Sequence, residues 1–202
     1  MAVIRAFIAI ELPAEVQQSL EEVMRQLRQR LQTLPGSAVR WVPAGNIHLT
    51  LKFLGDVEEE RIPDIGGCIE QCVMGITPFT IAVRGMGAFP SDHSPQVIWI
   101  AAADESGSLS RMQLSLEDGL ARLGFKKEKR PFSPHLTLGR LKSPRGKDAV
   151  RRALAEFKNA DCGSCTADAV CLFKSELKPG GAVHTCLKSC LLQHPQLSRS
   201  AP

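Results

Sequence analysis

The chain has 202 residues, 44% hydrophobic and 23% charged, which is the balance of a globular protein able to bury a core. Lys and Arg number 25 against 21 Asp and Glu, a net charge of +4 that suits an anionic substrate without demonstrating one. No apolar run reaches the roughly 20 residues of a membrane helix, and the opening MAVIRAFIAIEL lacks the features of a signal peptide, so no membrane association and a cytoplasmic location are expected.

In chain order, the first strand is expected at 5–12, followed by a helix over 14–33. That helix places Val16, Leu20, Val23, Met24, Leu27 and Leu31 on one face behind Pro13. Strands at 39–43 and 48–56 come next, then a weaker helix over 58–73, interrupted by Pro63 and Gly66–Gly67. Strands at 79–89 and 97–104 precede a helix over 107–123, whose apolar positions are Leu109, Met112, Leu116, Leu120 and Leu123, with Gly124 as its stop. A strand at 134–142, a short helix over 146–157 and strands at 168–178 and 183–192 complete the series. The last two flank Lys178-Pro-Gly-Gly-Ala182, a strong hairpin turn. Residues 193–202 read as a polar tail, and no linker separates two units, so one α+β domain over 1–192 is expected, with mainly antiparallel strands and helices packed outside.

Seven cysteines cannot all pair, and free thiols fit a reducing compartment. Cys162-Gly-Ser-Cys165 and Cys186-x-x-x-Cys190 have a loose zinc-ligand outline. Cys186 and Cys190, however, fall in a strand-like run rather than on knuckle turns, so structural thiols and no metal site are expected. A redox role for Cys162 and Cys165 has no helix start behind it.

One segment occurs twice: His48-Leu-Thr-Leu51 and His135-Leu-Thr-Leu138, separated by 135 − 48 = 87 residues. Each follows a Pro-containing approach, Trp41-Val-Pro43 or Pro131-Phe-Ser-Pro134, so two similar lobes are expected, each giving one strand to a shared cleft. On a strand His48 and Thr50 share one face and Leu49 and Leu51 the other, as do His135 and Thr137 against Leu136 and Leu138. The leucines then anchor each strand, while two imidazoles and two hydroxyls surround one small group. Phosphodiester hydrolysis needs such a set: a base behind the attacking water, an acid at the leaving oxygen, and donors for the non-bridging oxygens. A single His-x-Thr is most simply an ordinary strand segment; two identical copies in matching contexts are not. No Asp, Glu or Cys stands at ligand spacing beside either, which argues against a metal centre.

The paired motifs resemble the 2H phosphoesterase superfamily, and their flanks resemble its RNA 2′,3′-cyclic phosphodiesterase family, first described as 2′-5′ RNA ligases. The matching stretches are AFIAIELP at 6–13, WVPAGNIHLTLKFLGDV at 41–57, GMGAFPS at 85–91, RPFSPHLTLGR at 130–140 and LFKSELKPGGA at 172–182. The resemblance implies a bilobal α+β fold with two pseudo-twofold-related sheets and a cleft between them, no cofactor, and His48 as proton donor with His135 as proton acceptor. It also implies that Thr50 and Thr137 hold the phosphate, that the partner is an RNA ending in a 2′,3′-cyclic phosphate, and that the product is a 2′-phosphomonoester. A monomer is expected. Spacing alone assigns neither histidine its role.

Further contacts are read from parity and position. Lys52 shares the parity of His48 and Thr50 and is expected at the cleft, with Arg130 beside the second motif; Arg140 shares the parity of Leu136 and Leu138 and ranks lower. For each a solvated surface cation is nearly as good a reading. The run Lys126-Lys-Glu-Lys-Arg130 can follow an RNA backbone by charge. Where the family often has an aromatic after the Pro-Gly-Gly turn, this chain has Val183-His184, and it contains no Tyr. Phe53, Phe132, Phe89 or Trp99 can stack a base instead, and His184 is expected as an exposed strand histidine. The alternatives left open are a 2′-5′ RNA ligase or small cyclic-nucleotide phosphodiesterase on the same scaffold, and a non-catalytic RNA-end-binding module.

Overall fold

The computed structural model describes residues 2–32, 39–142, 146–179 and 181–193. Nine strands form two antiparallel sheets among these residues. The four-stranded sheet runs β3 (Leu49–Glu58), β1 (Val3–Ile10), β8 (Ala169–Lys178), β9 (Gly181–Leu191). The five-stranded sheet runs β2 (Val39–Trp41), β6 (His135–Leu141), β5 (Val97–Ala103), β4 (Phe79–Phe89), β7 (Asp161–Ala167). The α+β, bilobal expectation holds. The lobes, however, are not the two halves of the sequence. The chain crosses from one sheet to the other several times, and the helices are exchanged: α1 (Ala14–Arg30) follows β1 but packs on β7, while α3 (Ser108–Arg122) follows β5 but packs near β3. Helix α2 (Ile62–Val73) lies against α3 and β9, and α4 (Lys147–Glu156) joins α1 through an Arg30–Glu156 ion pair.

Each helix buries the stripe its periodicity marks: Val16, Leu20, Met24 and Leu27 on α1, Leu109, Met112, Leu116 and Leu120 on α3. Pro63 does not interrupt α2. It stands in the first turn, where a missing N–H costs nothing, so the helix starts there and β3 runs on to Glu58. Gly119 of α3 allows close contact with α2, since a Cβ there would lie 2.7 Å from the Cys72 sulfur and 2.8 Å from that of Cys68.

One strand went unforeseen. The turn-like letters of Asp161-Cys-Gly-Ser conceal β7, in which Gly163 (φ +82°) and a register shift against β4 bring both Cys162 and Cys165 inward. Both are buried on the five-stranded sheet, whereas Cys186 and Cys190 lie on β9 of the other sheet. Among the described residues no group of three or more His, Cys, Asp and Glu side chains is placed to hold a metal ion, and no helix is long and apolar enough to cross a membrane. Of the tail expected at 193–202, Gln193 hydrogen-bonds Ile76 O and the remainder lies outside the described residues.

Both motif strands carry a bulge at their second leucine. On β3, Thr50 pairs with Ala9 and Lys52 with Ile8, so Leu51 has no partner; on β6, Thr137 pairs with Trp99 and Gly139 with Ile98, so Leu138 has none. The extra residue reverses the alternation beyond it. Lys52 therefore turns into the core rather than the cleft. It is 4% exposed, and its Nζ lies 2.8 Å from Glu117 Oε2 on α3 and 2.7 Å from Lys126 O. Glu117 also accepts the Glu128 N–H at 3.1 Å, so the satisfied pair fastens the loop after α3 to the motif strand.

Removing one member of such a pair leaves a buried charge alone. Lys52→Met is expected to lower unfolding free energy by roughly 3–5 kcal/mol in urea titrations, with much of it regained in Lys52→Met/Glu117→Leu. Unchanged stability in the single variant would contradict this placement.

Candidate active site

Strands β3 and β6 approach one another where the sheets meet, and each motif lies at the start of its strand. Each histidine is fixed in the same way. The 3₁₀ turn Ala44–Asn46 leads into His48, whose Nδ1 lies 2.9 Å from Asn46 O; His135 Nδ1 lies 2.7 Å from Ser133 O. A carbonyl only accepts, so in both rings Nδ1 carries a hydrogen and donates it. The nitrogen left to exchange protons is Nε2 in both. The Asn46 side chain also ties the lobe together, because its Nδ2 donates to Ala182 O at 2.7 Å and pins the start of β9 beside the first motif.

The two rings sit in different surroundings. His48 stacks on Phe7 (centroids 4.6 Å apart, planes at 24°), and Phe7 stacks on Phe173 at 5.2 Å. These rings arise because Phe7 and Ala9 of β1 and Cys171 and Phe173 of β8 form a small buried cluster on the cleft face, opposite the main core. His184 meets His48 edge-on at 5.2 Å and Phe7 at 5.0 Å. It lines the site instead of standing exposed, because Asn46 draws the hairpin onto the first motif. His135 is touched edge-on by Phe89 at 4.8 Å, with Trp99 at 6.4 Å. Burial pushes the His48 imidazole from its usual 6.5 down to about 4, against the upward pull of the Asn46 carbonyl and with a further downward contribution from His184. Burial lowers His184 as well.

Thr50 and Thr137 stay on the cleft side of their bulges, half-buried. Among the described residues neither hydroxyl has a partner within the chain. Two buried nitrogens lack one too: Trp99 Nε1 beside His135 and His184 Nδ1 beside His48.

The other expected contacts divide. Beyond the bulges Phe53 pairs with Phe7 and Arg140 with Val97, so these two occupy corresponding positions in the two lobes. Phe53 is 60% exposed with its ring 6.2 Å from Phe7. Arg140 is exposed on the same face as His135 and Thr137, which corrects the lower rank that unbroken parity gave it. Lys52 is withdrawn into the core. Arg130 lies exposed in a bend before β6, and Phe132 packs against the main core instead of joining the rings around His48. Within the basic run Lys127 pairs with Asp118. Sequence reading missed Phe7, Phe173 and Asn46; the signal for Phe7 was its parity with Ala9 within the apolar run Ala6–Ile10.

A family model described as the 2′-5′ RNA ligase superfamily matches residues 16–179. The chain is 35% identical over 185 residues to the RNA 2′,3′-cyclic phosphodiesterase of Methanothermobacter thermautotrophicus, covering 90% of this chain and 95% of that one. It is 32% identical over 186 residues to the protein of that name from Thermotoga maritima, covering 92% and 94%. A crystal structure of a Thermus thermophilus protein superposes with a TM-score of 0.76 at 30% identity, over 95% of this chain and all (100%) of that one. E. coli LigT complexed with 3′-AMP does so with a TM-score of 0.72 at 26% identity, over 96% and 100%.

Because the folded His48 pKa lies below the unfolded one, the stability contributed by its neutral form is present above about 6.5 and lost as pH falls toward about 4. An NMR titration of the free protein should place its midpoint near 4, moving upward in His184→Ala and on addition of inorganic phosphate. A midpoint at 6.5, unmoved by phosphate, would contradict the burial described.

Proposed function

This chain belongs to the 2′-5′ RNA ligase superfamily, and we propose that it hydrolyses 2′,3′-cyclic phosphate ends of RNA to 2′-phosphomonoesters by metal-independent acid–base catalysis. The observation that carries this reading is the matched pair of Nδ1–carbonyl bonds, which leaves one Nε2 from each lobe for proton transfer across a shared cleft. His135 Nε2 takes a proton from the attacking water. The water oxygen bonds to phosphorus, the bond from phosphorus to the 3′-oxygen breaks, and His48 Nε2 delivers its proton to that oxygen. The hydroxyls of Thr50 and Thr137 donate to the non-bridging oxygens, where charge grows in the transition state. That neither hydroxyl has a partner among the described residues supports that use.

The surroundings of His48 bear on its role. An acid must be charged when it acts, and a ring with a pKa of about 4 is mostly neutral at pH 7 in the free protein. The bound phosphate anion supplies the missing counter-charge, so substrate binding and protonation of His48 are coupled. His135, whose ring is touched edge-on by Phe89 rather than stacked, serves as the base in this scheme. The exposed ring of Phe53 offers a face for the terminal base.

An RNA ending in a 2′,3′-cyclic phosphate should be turned over fully in excess chelator and yield the 2′-phosphate. His48→Ala and His135→Ala should each lose on the order of 10²–10⁴ in kcat with RNA binding retained. Activity abolished by chelation would overturn the metal-independent mechanism, and a 3′-phosphate product would reverse the leaving oxygen. Joined RNA ends without hydrolysis would make the chain a ligase, and tight end binding without turnover a binding module.

A further inference from the structure

The five-stranded sheet has one strand more than its counterpart. Strand β3 is an edge of the four-stranded sheet, whereas β6 is flanked by β2, only three residues long. Strand β2 is well anchored. Val39 is 4% exposed, and Trp41 packs beneath the Arg28 guanidinium, 5.3 Å from the ring centroid. Both crowd the core side of Gly139, where a Cβ would lie 2.7 Å from Val39 Cγ1 and 3.1 Å from Trp41 Cε3. Just beyond the strand, the Val42 N–H bonds Leu138 O at 2.9 Å, capturing the carbonyl of the bulged residue. With its neighbours turned inward, Arg40 is the one β2 side chain on the cleft face.

Arg40 pairs directly with Arg140. Residues opposed in an antiparallel pair project from the same face, and Arg140 shares its face with Val97, Trp99, Thr137 and His135. Two exposed guanidiniums therefore stand side by side at the end of the second motif strand. Directly opposed like charges weaken a sheet. Some cations of the fold meet acids, as Arg28 meets Glu21, Arg30 meets Glu156 and Lys188 meets Glu70. Among the described residues neither Arg40 nor Arg140 has an ion pair or a side-chain hydrogen bond. The missing negative charge is one that a ligand can bring.

We propose that Arg40 and Arg140 form a second phosphate subsite, which takes the phosphodiester on the 5′ side of the terminal nucleotide. This rests on the hydrolysis proposed above. The Arg140 row lies beyond the Thr137 row by two residue rises, roughly 7 Å along the strand, which leaves the reacting phosphate to the histidines and threonines and sets the next anion one nucleoside away. Guanidinium suits that anion better than ammonium would, because two planar forks can each present paired N–H groups to phosphate oxygens. The subsite makes the enzyme a reader of strands: a mononucleotide cyclic phosphate fills the first position and leaves the arginine pair unneutralised.

Three substrates test this: uridine 2′,3′-cyclic phosphate, the dinucleotide UpU ending in a 2′,3′-cyclic phosphate, and the same dinucleotide with an uncharged methylphosphonate linkage. Wild-type KM should be lowest for the charged dinucleotide, with the methylphosphonate close to the mononucleotide. Arg40→Gln should raise KM for the charged dinucleotide about tenfold more than for the mononucleotide, with kcat little affected and Arg40→Lys regaining part of the loss. The slope of log KM against log salt for the dinucleotide should fall by about one. Arg40→Gln should be at least as resistant to urea as wild type, because it relieves a like-charge contact; a purely structural arginine would lose stability instead. Equal KM values for mononucleotide and charged dinucleotide in the wild type, or an Arg40→Gln effect of equal size on both, would overturn the subsite and leave the hydrolysis standing. Turnover of neither substrate would overturn both.

Discussion

The second leucine of each His-Leu-Thr-Leu motif is an extra residue in its strand, and the layout of the cleft follows from that irregularity. A regular strand would carry His48, Thr50 and Lys52 on one face. The bulge at Leu51 leaves the histidine and threonine there, sends Lys52 into the core to meet Glu117, and returns Phe53 to the cleft. The bulge at Leu138 does the same on the other side, with Gly139 in place of the lysine and Arg140 in place of the phenylalanine. One backbone device used twice produces two equivalent histidine positions and two dissimilar flanks, one aromatic and one cationic. Bulges re-aim side chains in this way at sheet edges and beside active sites.

Equivalent backbones do not make equivalent imidazoles. Both rings are oriented by a carbonyl two residues upstream, yet His48 is enclosed by Phe7 and His184 while His135 is not so enclosed. The symmetry of the fold supplies two similar groups, and burial within the aromatic packing of one lobe lowers the proton affinity of His48.

Much of this was readable in the sequence, where the physics is local. The apolar stripes of α1 and α3 follow a 3.6-residue period, and the duplicated motif marks both histidines and both threonines without any structure. What could not be read was non-local. Parity counting misplaced Lys52 and Arg140 because a bulge leaves no letter in the sequence; it shows only in the pairing with β1 and β5. Strand β7 was hidden because Asp, Gly and Ser are turn formers, and its partner β4 lies far earlier in the chain. His184 looked like a surface residue because its neighbours His48 and Phe7 come from the other end of the chain.

Two imidazoles sharing one proton-transfer cycle leave a signature that a binding site or a single-base enzyme does not. It is read from the pH dependence of kcat/KM on a cyclic-phosphate RNA for the wild type and for His48→Ala and His135→Ala, each followed through its residual activity. The expected result is a bell with two ionisations in the wild type, one limb disappearing with each histidine and a different one in each variant. A profile that keeps both limbs after either histidine is removed would contradict the assignment of His48 and His135 as the acid–base pair.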